Sequence, residues 1–312
     1  MRRRLCKKAY VSLLTLQSQF FNLQSKKTMS LQEKSILINV ILHGFSKSKG
    51  DASVTSGVLF NNAAAGDAGK WSTTLLPKHA TQPISTIDGK IRKHHRTNTL
   101  PWSEKGARIL PSANYENYMK TFRTLRRERD ALIDAFRSCY PAYLNEARQS
   151  LGHLFRPENY PSADEAAAEF TLSLDATPVP HENHFRCQLG SPSDLSDIQD
   201  RLQKQVKHAE SNARLDLLKR VLAPIAAMAE KLSDPDAKFR DTLVSNIVEI
   251  TELIPNLNVT DDKVLSELHT RINKELTYYS PDALRHSPSD RRAAANKAQA
   301  IFENAATWMN AA

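Results

Sequence analysis

Between Tyr115 and Tyr143, core-type residues recur at alternating spacings of three and four: Tyr115, Tyr118, Phe122, Leu125, Leu132, Phe136, Cys139 and Tyr143, with only Arg129 breaking the series. Between Leu195 and Met228 the repeat is eleven residues, with Leu195, Val206, Leu217 and Met228 in one register and Leu202, Ala213 and Pro224 in another. A seven-residue repeat favours left-handed supercoiling, whereas eleven residues per three turns leaves a helix nearly straight. Two such segments, separated by a Pro-broken stretch that reads as strand, predict a mainly α (α+β) fold. The expected architecture is an elongated antiparallel pair of long helices with a C-terminal helical bundle and a small antiparallel β-sheet.

The 312 residues, 40% of them hydrophobic and 25% charged, are enough to bury a core. No apolar run reaches the ~18 residues that cross a bilayer; the longest candidate, Ile36 to Leu42, has the length of a strand. The expected organisation is a leader at 1–28, a strand, loop and Trp-anchored basic segment at 29–111, and a helical body at 112–312 with a β-hairpin near 170–190.

Seven of the nine net positive charges fall in residues 1–29, where Arg2, Arg3, Arg4, Lys7, Lys8, Lys26 and Lys27 stand without an acid. The apolar run Val11 to Leu16 is interrupted by Ser12 and Thr15 and is followed by no small-residue cleavage pattern, which argues against a secretory signal. Because patterned sequence starts at Ser30, residues 1–28 read as a disordered upstream extension with translation beginning at Met29. Residues 30–110 carry eleven Lys/Arg against five Asp/Glu, and residues 111–312 carry 25 against 29. The chain beyond the leader is therefore basic toward one end and mildly acidic along its helices. Cys6, Cys139 and Cys187 form no close pair, a usage that fits a reducing cytoplasm. Cys139 lies on the apolar stripe and is expected to be buried there.

Helix starts are legible. Ser162 with Glu165 has capping-box spacing, and Asp234-Pro235, Ser280-Pro281 and Ser287-Pro288 each place a capping side chain before a first-turn proline. Helices are expected near 113–153, 162–169, 193–232, 236–254, 261–278 and 288–309, with bends or breaks at Pro141 and Pro224. Strands are expected at 36–42, at Val54 to Phe60, and as a pair over Phe170 to Leu174 and Phe185 to Leu189. A short helix around Ile84 to His95 is expected between turns anchored by Trp71 and Trp102.

The best local case for a ligand is the run Lys90, Arg92, Lys93, His94, His95 and Arg96, with Trp102, Lys105 and Arg108 beyond it. Lys and Arg neutralise phosphates, and an adjacent aromatic can stack a base. Basic residues in a last helical turn also complement the helix dipole, the structural alternative. The second run, Lys120, Arg123, Arg126, Arg127 and Arg129, is interleaved with Glu128 and Asp130 as solvated helix faces often are. His181, His184 and Cys187 do not converge on one strand face, so no metal site is expected. Phosphate-loop, dinucleotide, serine-hydrolase and zinc-protease motifs are all missing, and the chain has nine glycines. No catalytic residue and no cofactor are assigned.

The block Trp71 to Gly190 resembles an uncharacterised family of phage and prophage proteins carrying a domain of unknown function. The resemblance rests on Lys70-Trp71 with Leu75-Leu76-Pro77, Leu100-Pro101-Trp102 with Gly106 and Leu110-Pro111, Leu151-Gly152-His153-Leu154-Phe155, Tyr160-Pro161, and Val179-Pro180 before Phe185-Arg186. It extends more loosely over residues 30–309. Genes of that family look like neighbours of MoxR-type AAA+ ATPases and von Willebrand A-type proteins, which implies a non-enzymatic adaptor in a remodelling system in the host cytoplasm. A single- or double-stranded nucleic-acid-binding protein of phage DNA metabolism, acting through the basic segment, is the alternative, and a virion structural component a third. Periodicity does not choose between a stripe satisfied within the chain and one satisfied in a homodimer.

Overall fold

The computed structural model describes residues 30–103, 106–181 and 192–310. Over the described residues the protein is mainly helical, with one four-stranded and one two-stranded sheet. In chain order the elements are α1 (Leu31–Lys34), β1 (Ser35–Leu42), β2 (Ser48–Gly50), α2 (Ala52–Asn61), β3 (Ser72–Thr74), α3 (Lys78–Thr97), β4 (Leu100–Pro101), β5 (Arg108–Pro111), α4 (Tyr115–Leu151), α5 (Ala163–Ala168), β6 (Leu172–Pro178), α6 (Pro192–Ser233), α7 (Thr242–Leu257), α8 (Lys263–Glu275), α9 (Pro281–His286) and α10 (Pro288–Asn310). The leader and the proposed strand Phe185 to Leu189 lie outside the described residues.

Two compact units emerge among the described residues: 36–177, which hold the sheets, and 30–35 together with the described residues from 178 onward, which are mainly helical. The division differs from the expected one at 111/112, because α3 packs along α4 and carries the basic segment into the same core. The partner of α4 is thus α3, and the partner of α6 is α10, each within its own unit.

In the sheet-bearing unit the strand order is β4-β5-β1-β6, with Leu100 opposite Ile109 in the antiparallel β4-β5 pair. Ile38 of β1, Ile91 of α3, Leu110 of β5, and Tyr118 and Phe122 of α4 form one buried cluster. Phe45, Leu76, Ile84, Phe136, Tyr140 and Phe170 belong to a second. Fully burying such side chains stabilises by about 1.5–3 kcal/mol each, so these clusters hold α3 and α4 side by side.

The α4 stripe departs from expectation at three positions. The buried face steps from Phe136 to Tyr140, so Cys139 is exposed rather than buried. Tyr115, at the helix start, is 42% exposed, and Arg129, the interruption, is 1% exposed. Helix α4 runs through Pro141 without a break; the proline is on the exposed side, where water can serve the carbonyl it orphans. It ends at Gly152, whose φ of 50° and ψ of −122° suit a residue without Cβ, and whose N–H donates to Arg148 O.

The expected strand at Val54 to Phe60 is helix α2. Asp51 Oδ1 accepts from Ser53 N at 3.0 Å and Val54 N at 3.1 Å, and this cap outweighs the β-branched content of the run. The strands flanking α2, β2 and β3, pair antiparallel.

In the helical unit, α6 buries Val206, Ala213, Leu217 and Met228 of its eleven-residue registers, whereas Leu195, Leu202 and Pro224 are half-exposed and the helix passes through Pro224 intact. Its partner α10 presents Ala294, Ala295, Ala298 and Ala305 with Ile301, small side chains that let two helices approach closely. Ser280 caps α9 and Ser287 begins α10 as expected. Asp234-Pro235 makes a turn instead, Asp234 Oδ1 accepting from Asp236 N at 2.9 Å, and the next helix waits until Thr242.

Candidate nucleic-acid interface

Helix α3 divides its side chains cleanly. Ile84, Ile87, Asp88, Ile91 and His95 are buried, while Lys90, Arg92, Lys93 and Arg96 are exposed. Asp88 is the only acid in α3, and it faces inward. Its carboxylate is occupied by Arg129, whose Nε donates to Asp88 Oδ1 at 2.7 Å. The cations on the outer face therefore have no acid on their own helix to neutralise them, and none is ion-paired among the described residues.

Three contacts set the register of α3 against α4. His95 Nδ1 lies 2.9 Å from Tyr118 Oη, Asp88 meets Arg129, and His79 Nε2 lies 3.3 Å from Glu146 Oε2. The helices are antiparallel, so the end of α3 lies beside the start of α4. That brings Lys120, Arg123, Arg126 and Arg127, all exposed, to the end of the pair that holds Lys90, Arg92, Lys93 and Arg96. The sequence presents these as two runs separated by 23 residues; packing makes them one basic end.

Beneath it lies a polar interior. Besides Asp88, Arg129 donates from Nη1 to Phe170 O at 3.1 Å and from Nη2 to His43 O at 3.1 Å and Thr171 O at 3.3 Å. The guanidinium thus ties both helices to the chain at the ends of β1 and β6. His94 stacks on Tyr118, with ring centroids 4.9 Å apart, and burial lowers its pKa. His95 is pushed down to about 4, first by burial and then by the nearby charges of Arg108, His94 and Arg96. Burial favours the neutral form of both imidazoles, so the charge of this end resides in Lys and Arg.

Of the residues singled out by sequence, Lys90, Arg92, Lys93 and Arg96 stand on the surface. Trp102 is 8% exposed and packs inward, which removes it as a stacking platform. Arg108 is half-buried, donating from Nε to Thr99 Oγ1 at 2.7 Å and from Nη2 to Thr99 O at 3.0 Å. Lys105 lies outside the described residues, as do His184 and Cys187. Sequence reasoning passed over Tyr115, an exposed aromatic at the start of α4. Its place on the stripe disguised it as core, and only its position at the first turn of the helix could have hinted otherwise.

Farther along the α3–α4 pair, Gln82, Thr86, Ile87, Lys90, Glu128 and Leu132 line a groove of about 880 Å³. Among the described residues no group of three His, Cys, Asp or Glu could hold a metal, and no helix is long and apolar enough to cross a membrane. Compared with protein-family models, with curated proteins and with solved structures, the chain has no match.

Proposed function

We propose that this protein acts by binding rather than catalysis, and that its basic end engages nucleic acid. The observation that carries the reading is the gathering of two cationic runs at one end of α3–α4, with the one acid of α3 turned inward onto Arg129. Clustered cations without paired acids attract polyphosphate backbones and release counterions on contact. A solvated helix end explains Arg96 near the C-terminus of α3, where it complements the dipole. It does not account for Arg123, Arg126 and Arg127 joining from another helix.

The test is fluorescence anisotropy with labelled DNA at two salt concentrations, comparing the full chain with the variant Arg92→Glu, Lys93→Glu, Arg96→Glu. Tight, salt-sensitive binding that falls at least tenfold in the variant is expected. Retained affinity in the variant removes this site.

A second reading, an adaptor to a MoxR-type AAA+ ATPase and a von Willebrand A-type partner, draws on the family resemblance and on α2. That helix has no charged residue and no buried one, and it leaves Val58 and Phe60 exposed at 44% and 86%, with Trp71 nearby at 43%. Exposed apolar groups of this kind suit a protein partner. Co-purification of such an ATPase, abolished by Phe60→Ser, supports that reading; its absence from the pull-down counts against it.

A further inference from the structure

We infer that the ligand of the basic end is duplex nucleic acid, held through its phosphate backbones by α3 and α4 together and without regard to base sequence. The inference rests on the nucleic-acid reading above and narrows its substrate class.

Proteins that hold single strands combine a basic groove that tracks one backbone with aromatic platforms on which bases stack. This end offers neither. Its aromatic rings are turned inward: Trp102, Tyr118, Phe122 and His95 are all buried, and Tyr115 is the one described aromatic left exposed beside the basic runs. The groove between the helices is reached by Lys90 alone among these cations, and Glu128 sits on its opposite wall.

What the end offers instead is a two-dimensional array. Lys90 to Arg96 extends about 9 Å along α3 and Lys120 to Arg127 about 10 Å along α4, at 1.5 Å per residue. The axes of packed helices are separated by about 8–10 Å. Cations spread over two parallel rows meet the two backbones that border a duplex groove better than they meet one strand. Arg and Lys on rigid helices that do not enter a groove contact phosphates, which positions a protein without reading bases. The rows are also fixed to one another, through Asp88–Arg129 and His95–Tyr118, so the spacing is preset before binding. Glu128 and Asp130 close the array on α4 and limit the footprint to this end.

The experiment uses the full chain with labelled duplexes of two unrelated sequences and the matching single strands, over a salt series. Three chains are compared: the unaltered chain, the α4 variant Lys120→Glu, Arg123→Glu, Arg127→Glu, and Tyr115→Ala. All four positions are exposed, and circular dichroism checks that the variants fold. The expected result is at least tenfold preference for duplex, equal affinity for the two sequences, and little change in Tyr115→Ala. The α4 variant should lose at least tenfold in affinity and shift the salt slope by about 2–3, at roughly 0.9 per phosphate contact. Single strands bound as tightly as duplex, with loss in Tyr115→Ala, overturn the inference and leave the nucleic-acid reading standing. Duplex binding untouched by the α4 variant overturns the two-helix site. No binding of either form at low salt ends both.

Discussion

The two units of this protein organise charge in opposite ways. In residues 36–177 a buried ion pair, Asp88–Arg129, occupies the interior with side-chain exposures of 11% and 1%, and a set of unpaired cations covers one end. In the helical unit the ion pairs Arg214–Asp262, Arg271–Glu275 and Arg285–Asp241 are partly or largely exposed, and apart from Thr251, whose hydroxyl donates to Ile247 O, the residues buried on its helices are apolar down to the alanines of α10. Overall, residues 36–177 hold eighteen Lys/Arg against fourteen Asp/Glu, whereas residues 178–312 hold seventeen against nineteen. One unit spends its only α3 carboxylate internally and presents uncompensated charge outside; the other neutralises charge at the surface and relies on close helix packing. The contrast places the uncompensated cations in the first unit and the close helix packing of small side chains in the second.

Breaking the buried pair is the harshest test of that contrast. Arg129→Met leaves Asp88 buried without its partner and removes the donor to three carbonyls, a loss of about 3–5 kcal/mol. Hydrogen exchange followed by mass spectrometry should show lost protection across α3, α4 and β6, with the helical unit retained. Overpacking probes the other side. Ala298 is fully buried on α10, and Ala298→Leu should cost about 1–3 kcal/mol, read as a lower denaturation midpoint of peptides from α6 and α10 and not of those from α3.

The smallest effect near neutrality is the dependence on pH. His95 titrates near 4 in the folded chain, below the 6.5 of an unperturbed imidazole, so the unfolded state binds the proton first as the pH falls. Stability of the sheet-bearing unit should therefore be level above pH 6.5 and decline below it, by about 1 kcal/mol at pH 5.5 and up to ~3 kcal/mol near pH 4. His94, also lowered, adds in the same direction. Chemical denaturation at pH 7, 5.5 and 4.5 checks this, and His95→Gln should flatten the profile of that unit without altering that of the other.

Several sequence signals were sufficient because they act over a single turn. Ser162 and Glu165 exchange hydrogen bonds as their spacing implies, Ser162 N donating to Glu165 Oε2 at 2.9 Å and Glu165 N to Ser162 Oγ at 3.3 Å. Ser280 meets Ala283 N at 3.1 Å in the same manner. The α4 stripe predicted the burial of Tyr118, Phe122 and Phe136. Asp51 shows the limit of that approach. Its cap depends on two backbone amides and on Arg156, 105 residues away, whose Nε lies 3.1 Å from Asp51 Oδ2, so the local run Val54 to Phe60 looked like strand. Trp102 reads the same from sequence whether it faces water or core, and only the packed chain leaves it 8% exposed.

Periodicity and capping chemistry set the helices, their starts and the mainly α class, because those depend on neighbours three and four residues apart. Partnership, burial of charge and the joining of two basic runs depended on contacts across the chain. Arg129 looked like a defect in an apolar stripe until Asp88, His43, Phe170 and Thr171 supplied its hydrogen bonds. A guanidinium is expensive to bury alone and acceptable when every donor direction finds an acceptor, and only the packed chain brings those acceptors to it.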